Sequence, residues 1–597
     1  MKLLLLLQQF RRNCGITMKL LLQQFRRNCG ILINMKYRES FTTVLIMIVT
    51  VMFGTFTGIL SLASLFYFNH YPLDFIESFV DTFPDSPVIN ILIILLVILI
   101  TTALAFLFQK IKIKDWVLHV ITGVISTISL GFLLFFVYKA KCVPVCDQMQ
   151  LVLDAIFFKN GNYEDMRGYL NTFQQQYGLV FLEEMIMRIN EDYHIFQYIN
   201  AVFVAGSMYA IFPITKLLSG QGKTAFFGFL AAVSFVPLYY YANFVYGEVP
   251  SLAFATFGIW MLLLFLKKGE GRRFVNRKNW FFLLLIIPLF TLSYVSRTNL
   301  VILLIALVCA LILYGIRKNK WGAFILAAVI IILPLLANSG IKKSYELRSG
   351  IEIGAAQPAL GWIAMGMQVS EQGYGFCNDY ANNTFNTTAE GNRDVANEIY
   401  KEEIAYRIQE FKTEPRSAYV FYRMKMLQQW NEGTFGSIVH TNAFEDGVPG
   451  RTIGKFFSNV YGQYVNMFCN RYVAVIYFLY FVFGVTSVVY MILKFIRNSR
   501  NNKTENMKES EENVKDINDN ETDSAFGGNF AYLFMIYFIG GFLFSLLWEA
   551  KPRYVFPYVY LCLPLAAVGL SRIQGRILWL IEACFKPKKK ETANTEE

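Results

Sequence analysis

The stretch VINILIILLVILITTALAFLF, residues 88–108, decides the fold class. It carries no ionisable side chain, and it has the length of about 17–25 residues that a helix needs to cross the hydrocarbon core of a bilayer. Lys110, Lys112 and Lys114 follow it directly, whereas the loop from His70 to Pro87 before it holds Asp74, Glu77, Asp81 and Asp85 and no Lys or Arg. Short loops rich in Lys and Arg stay on the cytoplasmic side, so the segment is expected to run from outside to inside.

Similar runs lie at 43–68, 116–138, 195–217, 224–243, 249–266, 280–296, 299–316, 321–338, 471–495, 529–548 and 553–572, which makes about twelve spans in all. Lys267, Lys268, Arg272, Arg273, Arg277 and Lys278 crowd one later loop, and Arg317, Lys318 and Lys320 another. Alternation then places both chain ends inside and two long segments, 140–194 and 339–470, outside. Composition agrees: 55% of residues are hydrophobic, 16% are charged and the mean hydropathy is +0.40. The net charge of +12 resides in the short loops, so it is a topology signal and no nucleic-acid partner is expected.

The expected fold is an all-α polytopic membrane protein with a mixed extracytoplasmic domain. Residues 1–40 form a cytoplasmic segment whose start, MKLLLLLQQFRRNCGIT, is nearly repeated from Met18; each copy is too short to span. Two helices in 41–115 precede a membrane core, 116–338, that includes the outer loop 140–194. The extracytoplasmic domain is 339–470. The last spans, 471–572, enclose a polar stretch, 496–526, too poor in apolar residues to fold by itself, and a basic tail, 573–597, ends the chain.

The spans hold few ionisable residues away from their ends, unlike a transporter with polar groups at mid-membrane. The polar chemistry lies at the outer rim. Asp147, after Cys142-Val-Pro-Val-Cys146, stands just beyond a span, where partial shielding suits a carboxylate to general-base work; a helix cap is the plainer reading. Glu248, in Tyr246-Gly247-Glu248, is a second rim carboxylate, placed to bind the acceptor, hold a sugar hydroxyl or share a divalent cation with Asp147. Trp548-Glu549-Ala550-Lys551-Pro552-Arg553-Tyr554 offers a guanidinium for a phosphate with Glu549 to orient it, and Arg297 in Ser296-Arg297-Thr298-Asn299 offers another. Lys425 and Trp430, in a stretch that looks amphipathic, are expected along the membrane surface near a lipid head group.

Several chemistries lack their motifs. The four histidines, His70, His119, His194 and His440, are isolated and there is no Cys-x-x-Cys pair, which argues against a zinc or haem centre. Ser219-Gly-Gln-Gly-Lys-Thr224 has Leu217 where a phosphate loop needs glycine, and there is no Asp-x-Asp, so a lipid-carried donor is favoured over a nucleotide sugar. Cys142, Cys146, Cys377 and Cys469 fall outside, where one or two disulfides could form.

The order of these motifs resembles the membrane-embedded GT-C glycosyltransferases, in particular the branch of protein O-mannosyltransferases and bacterial aminoarabinose transferases. The resembling features are Asp147-Gln148 in the first long outer loop, Tyr169 ahead of Gln174-Gln-Gln-Tyr-Gly178, the acidic turn at Glu248, and the late Glu549-x-x-x-Arg553-Tyr554. The mannosyltransferases carry Asp-Glu where this chain has Asp147-Gln148. The resemblance spans roughly 116–572 and implies a polyprenyl-phosphate sugar as donor, Asp147 as base toward an acceptor, Glu248 as a second acidic group, and inversion at the anomeric carbon. The released phosphate would be held by Arg553, Arg297 and Lys425, with Glu549, Tyr554, Gln148 and Tyr169 in support. It implies a glycan, protein or lipid acceptor and a site on the outer face of a bacterial cytoplasmic membrane. A flippase for a lipid-linked glycan and a glycan polymerase or ligase are the competing classes.

Overall fold

The computed structural model describes residues 35–70, 79–269, 274–441, 443, 462–505 and 530–585. The duplicated start, Asp74 and Glu77, most of the stretch expected to be unfolded, and the last part of the basic tail, 586–597, lie outside the described residues.

Among the described residues the chain is almost wholly helical, with two small antiparallel hairpins. In chain order the main helices are α1 (Met35–Phe66), α2 (Pro87–Lys110), α3 (Asp115–Ala140), α4 (Asp147–Lys159), α5 (Tyr177–Met187), α6 (His194–Ser219), α7 (Gly222–Val233), α8 (Glu248–Lys268) and α9 (Leu283–Ser296). There follow α10 (Val301–Lys318), α11 (Trp321–Ser349), α12 (Arg393–Thr413), α13 (Pro415–Trp430), α14 (Gly462–Glu505), α15 (Tyr532–Leu547), α16 (Phe556–Leu561) and α17 (Leu563–Phe585).

Eight of the described helices are long and apolar enough to cross a membrane, and a ninth span results when α16 and α17, bent by 52°, are taken together. The apolar runs read from the sequence overlap these and three shorter apolar helices, Gly222–Val233, Trp280–Ser296 and Tyr532–Leu547, the run 224–243 being broken after Val233 before a short helix at Pro237–Tyr241. Apolar side chains outside the bundle, such as Leu92, Leu99 and Ile128, are exposed, as lipid-facing positions require.

Four expected boundaries shift, the first being that α17 continues past 572 to Phe585, so the tail expected from 573 begins as helix. Helix α11 continues past 338 to Ser349, α14 begins at Gly462 rather than 471, and it continues to Glu505, so 496–505 is helical. The segment expected at 339–470 is correspondingly shorter, and its described part combines helices with irregular stretches such as 350–358 and the hairpin Val369–Ser370 with Gly373–Tyr374.

Helix α1 packs along α14, where Gly54 meets Gly484: a Cβ on Gly484 would lie 2.7 Å from Gly54 Cα. Small residues let helices approach closely in lipid, where packing replaces the hydrophobic drive between helices. At the end of the bundle that bears the site, the hairpin Tyr67–His70 with Asp81–Pro84 is held by Asn431, whose side-chain amide donates to the Tyr67 carbonyl at 2.6 Å, and by Asn470, which donates to the Asn69 carbonyl at 3.0 Å. Arg471 pairs with Asp85 beside it.

Candidate active site

Four helix ends build the site. Helix α4 begins at Asp147 after Cys146, whose backbone is left-handed at φ 51°, and α8 begins at Glu248. Helix α9 ends into Arg297, and the Trp548–Tyr554 turn links α15 to α16. Gln148 ties α4 to the turn before α8 and to the 439–441 turn. Its side-chain carbonyl accepts from Val245 N–H at 3.0 Å, and its amide donates to the His440 carbonyl at 3.2 Å.

The close fit of two turns depends on Gly247. A Cβ there would stand 2.1 Å from the Ser296 carbonyl oxygen, so only glycine lets the Tyr246-Gly247-Glu248 turn lie directly on Ser296-Arg297. The result is an ion pair: Arg297 Nη1 is 2.6 Å from Glu248 Oε1, and the Glu248 side chain is 0% exposed. Arg553 Nε lies 3.9 Å from the same oxygen, and Arg553 Nη2 lies 3.8 Å from Asp147 Oδ2. Neither Glu248 oxygen nor Arg553 Nε receives or makes a well-aligned hydrogen bond among the described residues, so these are charge contacts rather than directed bonds.

Both guanidinium groups lie between the rings of Tyr246 and Tyr554. Arg297 is 5.6 and 5.4 Å from the two centroids and Arg553 is 5.5 and 5.7 Å from them. Such stacking holds a planar cation without consuming its N–H donors. The Tyr554 hydroxyl donates to Glu549 Oε2 at 3.1 Å, and Lys551 stands 3.4 Å from Glu549 Oε1. The Tyr169 hydroxyl neighbours Asp147 and Tyr246, and Gln176 donates to the Tyr246 hydroxyl. Burial, reinforced by the charge of Asp147, keeps both phenols protonated, well above their usual range.

A cavity of about 430 Å³ opens on this cluster. Arg297, Arg553, Glu549, Gln175 and Gln176 supply its polar lining, while Val301, Ile302, Phe544, Trp362 and Trp548 supply apolar and aromatic lining. Asp147 touches Arg553 without forming part of the cavity wall, and its side chain is 42% exposed. The Asp147 side chain makes no cap, Cys146 occupying that position, so its carboxylate is left open to solvent at the favourable N-terminal end of the α4 dipole.

The structure therefore brings Asp147, Glu248, Arg297, Arg553, Glu549, Tyr554, Gln148 and Tyr169 together from across the chain. It places Lys425 behind the site: the whole side chain is buried and lines no part of the cavity, and its ammonium donates to main-chain carbonyls of Gly366, Trp548 and Leu546. Trp430 is likewise fully buried, packed on Phe538, Phe542 and Tyr558 instead of lying on the membrane surface. Among the described residues, no group of three or more His, Cys, Asp or Glu side chains is arranged to hold a metal ion, and Glu248 faces guanidinium groups rather than a shared cation. Cys142, Cys377 and Cys469 are unbridged among the described residues.

Two members of the site escaped the sequence. Tyr246, adjacent to the acidic turn, is the common contact of both arginines, Tyr169 and Gln176. The His440 imidazole is buried, and that burial with the charges of Arg553, Lys551 and Arg297 keeps it neutral, well below the usual histidine range. An isolated histidine gives no sequence signal of this neighbourhood.

Comparison with protein-family models, curated proteins and solved structures found no match, so the functional reading rests on the geometry.

Proposed function

We propose that this cluster is the reaction centre of a glycosyltransferase that moves a sugar from a polyprenyl-phosphate donor to an acceptor, with inversion at the anomeric carbon. The observation that carries the reading is the pairing of a partly exposed carboxylate, Asp147, with a buried guanidinium, Arg553, whose Nε makes no hydrogen bond among the described residues, beside a cavity with polar and apolar lining.

Asp147 takes the proton from the acceptor hydroxyl or amine as that atom bonds to the anomeric carbon. The bond from the anomeric carbon to the phosphate oxygen breaks, and its electron pair leaves with polyprenyl phosphate. Arg553, with donors not spent on neighbours, receives the charge that develops on that oxygen. Glu248 holds Arg297 and Arg553 side by side without hydrogen bonds that would compete with a phosphate. Tyr169 orients Asp147, Tyr554 orients Glu549, and the Val301, Ile302 and Phe544 lining accommodates the isoprenoid next to the phosphate.

In this reading the three shorter apolar helices also cross, giving twelve crossings, and the cavity faces outward from a bacterial cytoplasmic membrane. Lys110, Lys112, Lys114, Lys267, Lys268, Arg317 and Lys318, at the other ends of helices that reach the site, support that orientation. The acceptor is a glycan, a protein or a lipid.

The test is incubation of the purified protein in nanodiscs with a panel of polyprenyl-phosphate sugars and an envelope extract as acceptor source. Release of polyprenyl phosphate with one donor, and a product of opposite anomeric configuration, is the expected result. Absence of release with every donor, together with movement of a lipid-linked glycan across vesicles, would replace the reading with a flippase.

A further inference from the structure

Lys425 is spent on the backbone rather than on a ligand. From α13 its ammonium donates to Gly366 O at 2.5 Å, Trp548 O at 2.8 Å and Leu546 O at 3.1 Å. The Leu546 and Trp548 carbonyls are at the end of α15, where carbonyls lack partners within the helix and a cation is favoured. The Gly366 carbonyl belongs to the outer segment, so one side chain joins two bodies of the protein.

The rest of α13 continues the same seam. Gln429 donates to Ser545 O at 3.3 Å, while Gln428 accepts from Tyr374 N–H at 3.1 Å and donates to Val80 O at 2.9 Å. Ala550 N–H, one residue after Glu549, donates to Gly375 O at 2.7 Å. Glycine makes the approach possible on both sides of the ammonium. A Cβ at Gly366 would lie 2.7 Å from Trp548 O, and one at Gly375, where φ is +76°, would lie 2.8 Å from Lys425 Cε.

We propose that Lys425 is a positioning residue of the reaction centre: its ammonium latches the end of α15 to the outer segment and so sets the 548–553 turn that presents Glu549 and Arg553 to the cavity. The consequence for turnover rests on the glycosyl-transfer reading; the latch itself does not.

An ammonium has three N–H donors and here each has a carbonyl acceptor, whereas an amine has only two. Burial pushes Lys425 down to about 7, and Glu549, the charged group that acts on it, opposes the shift. As pH rises through that value, one carbonyl loses its donor and the 546–551 segment loosens.

The test is hydrogen exchange of the full chain in nanodiscs between pH 5.5 and 9, corrected for intrinsic exchange rates, read on the peptide that covers 546–551. Wild type, Lys425→Met and Lys425→Arg are compared, and turnover is measured in parallel. The latch predicts that wild-type protection falls with a midpoint near pH 7. It predicts that Lys425→Met exchanges faster at pH 6 by about tenfold or more, as loss of one charge-assisted bond implies, with no such midpoint. Lys425→Arg, which keeps a charged donor, is expected to restore part of the protection.

Equal, pH-independent protection in wild type and Lys425→Met overturns the proposal. Should Lys425→Met fail to fold, Lys425→Gln takes its place: protection of 546–551 equal to wild type at pH 6 overturns the latch. Protection that behaves as predicted in a protein without transferase turnover leaves the latch standing and removes the glycosyl-transfer reading.

Discussion

Glu248→Gln removes one negative charge from the centre of the site while keeping the shape of the side chain. In the wild type that wholly buried carboxylate faces Arg297 at 2.6 Å and Arg553 at 3.9 Å, and both guanidinium groups are nearly buried. Stripping one member from a buried pair leaves an uncompensated charge and costs about 3–5 kcal/mol. Asp147, 3.8 Å from Arg553, still compensates one of the two cations, so the expected loss is at the lower end, about 3 kcal/mol. The assay is unfolding of the purified protein in detergent, with Arg297→Gln and the double variant completing a cycle. The double variant should be less destabilised than the sum of the singles by about 2 kcal/mol, because the second change removes the charge left unpaired by the first. A phosphate ligand that occupies the vacated position should also stabilise Glu248→Gln more than wild type. A Glu248→Gln protein within about 0.5 kcal/mol of wild type, or a cycle with no coupling, would refute the idea that this carboxylate gathers the two arginines.

Other residues make separate predictions. Gly247→Ala forces a Cβ within 2.1 Å of the Ser296 carbonyl, so the turn must shift; a loss of about 1–3 kcal/mol in the same assay is expected, with turnover falling alongside it. Arg553→Lys keeps the charge but loses the planar fork between Tyr246 and Tyr554, and should lower kcat/KM by about tenfold or more. Asp154 is held up to about 8 by burial and then by the charge of Asp165, against 3.8 in an unperturbed carboxyl. The fold thus binds this proton more tightly than the unfolded chain, so its stabilisation is full below about pH 4 and is lost as pH rises through about 8. Asp154→Asn should flatten the decline in unfolding temperature between pH 5 and 9, and an unchanged slope would show that Asp154 does not carry it.

Much of the bundle was legible because a bilayer leaves few choices. The absence of charge in 88–108 and the alternation of acidic and basic loops fixed which turns share an end, and those turns carry Asp147, Glu248, Arg297 and Arg553. A turn of a few residues between two apolar helices has little freedom, so a charged residue within it is placed almost by topology alone.

Long-range packing was not legible. The spacing of polar residues in 419–430 matches a helix lying on a surface, but the same spacing suits a helix covered on several sides whose polar groups cap foreign backbone, as Lys425, Gln428 and Gln429 do. The carboxyls of Asp154 and Glu183, buried between α4 and α5, likewise gave no local sign of burial. Helix ends at Ser349 and Gly462 ran past the apolar runs because protein contacts, rather than lipid, sustain those turns.

The central claim is that Asp147 is the base of a glycosyl transfer from a polyprenyl-phosphate donor. The most direct measurement is single-turnover release of polyprenyl phosphate by wild type and Asp147→Asn at saturating donor and acceptor, with donor binding measured on the same preparations. The account predicts that Asp147→Asn binds donor with affinity within a few-fold of wild type and loses release by about 10²–10⁴-fold, the range that general-base catalysis supplies. Release at the wild-type rate by a folded Asp147→Asn protein would contradict it.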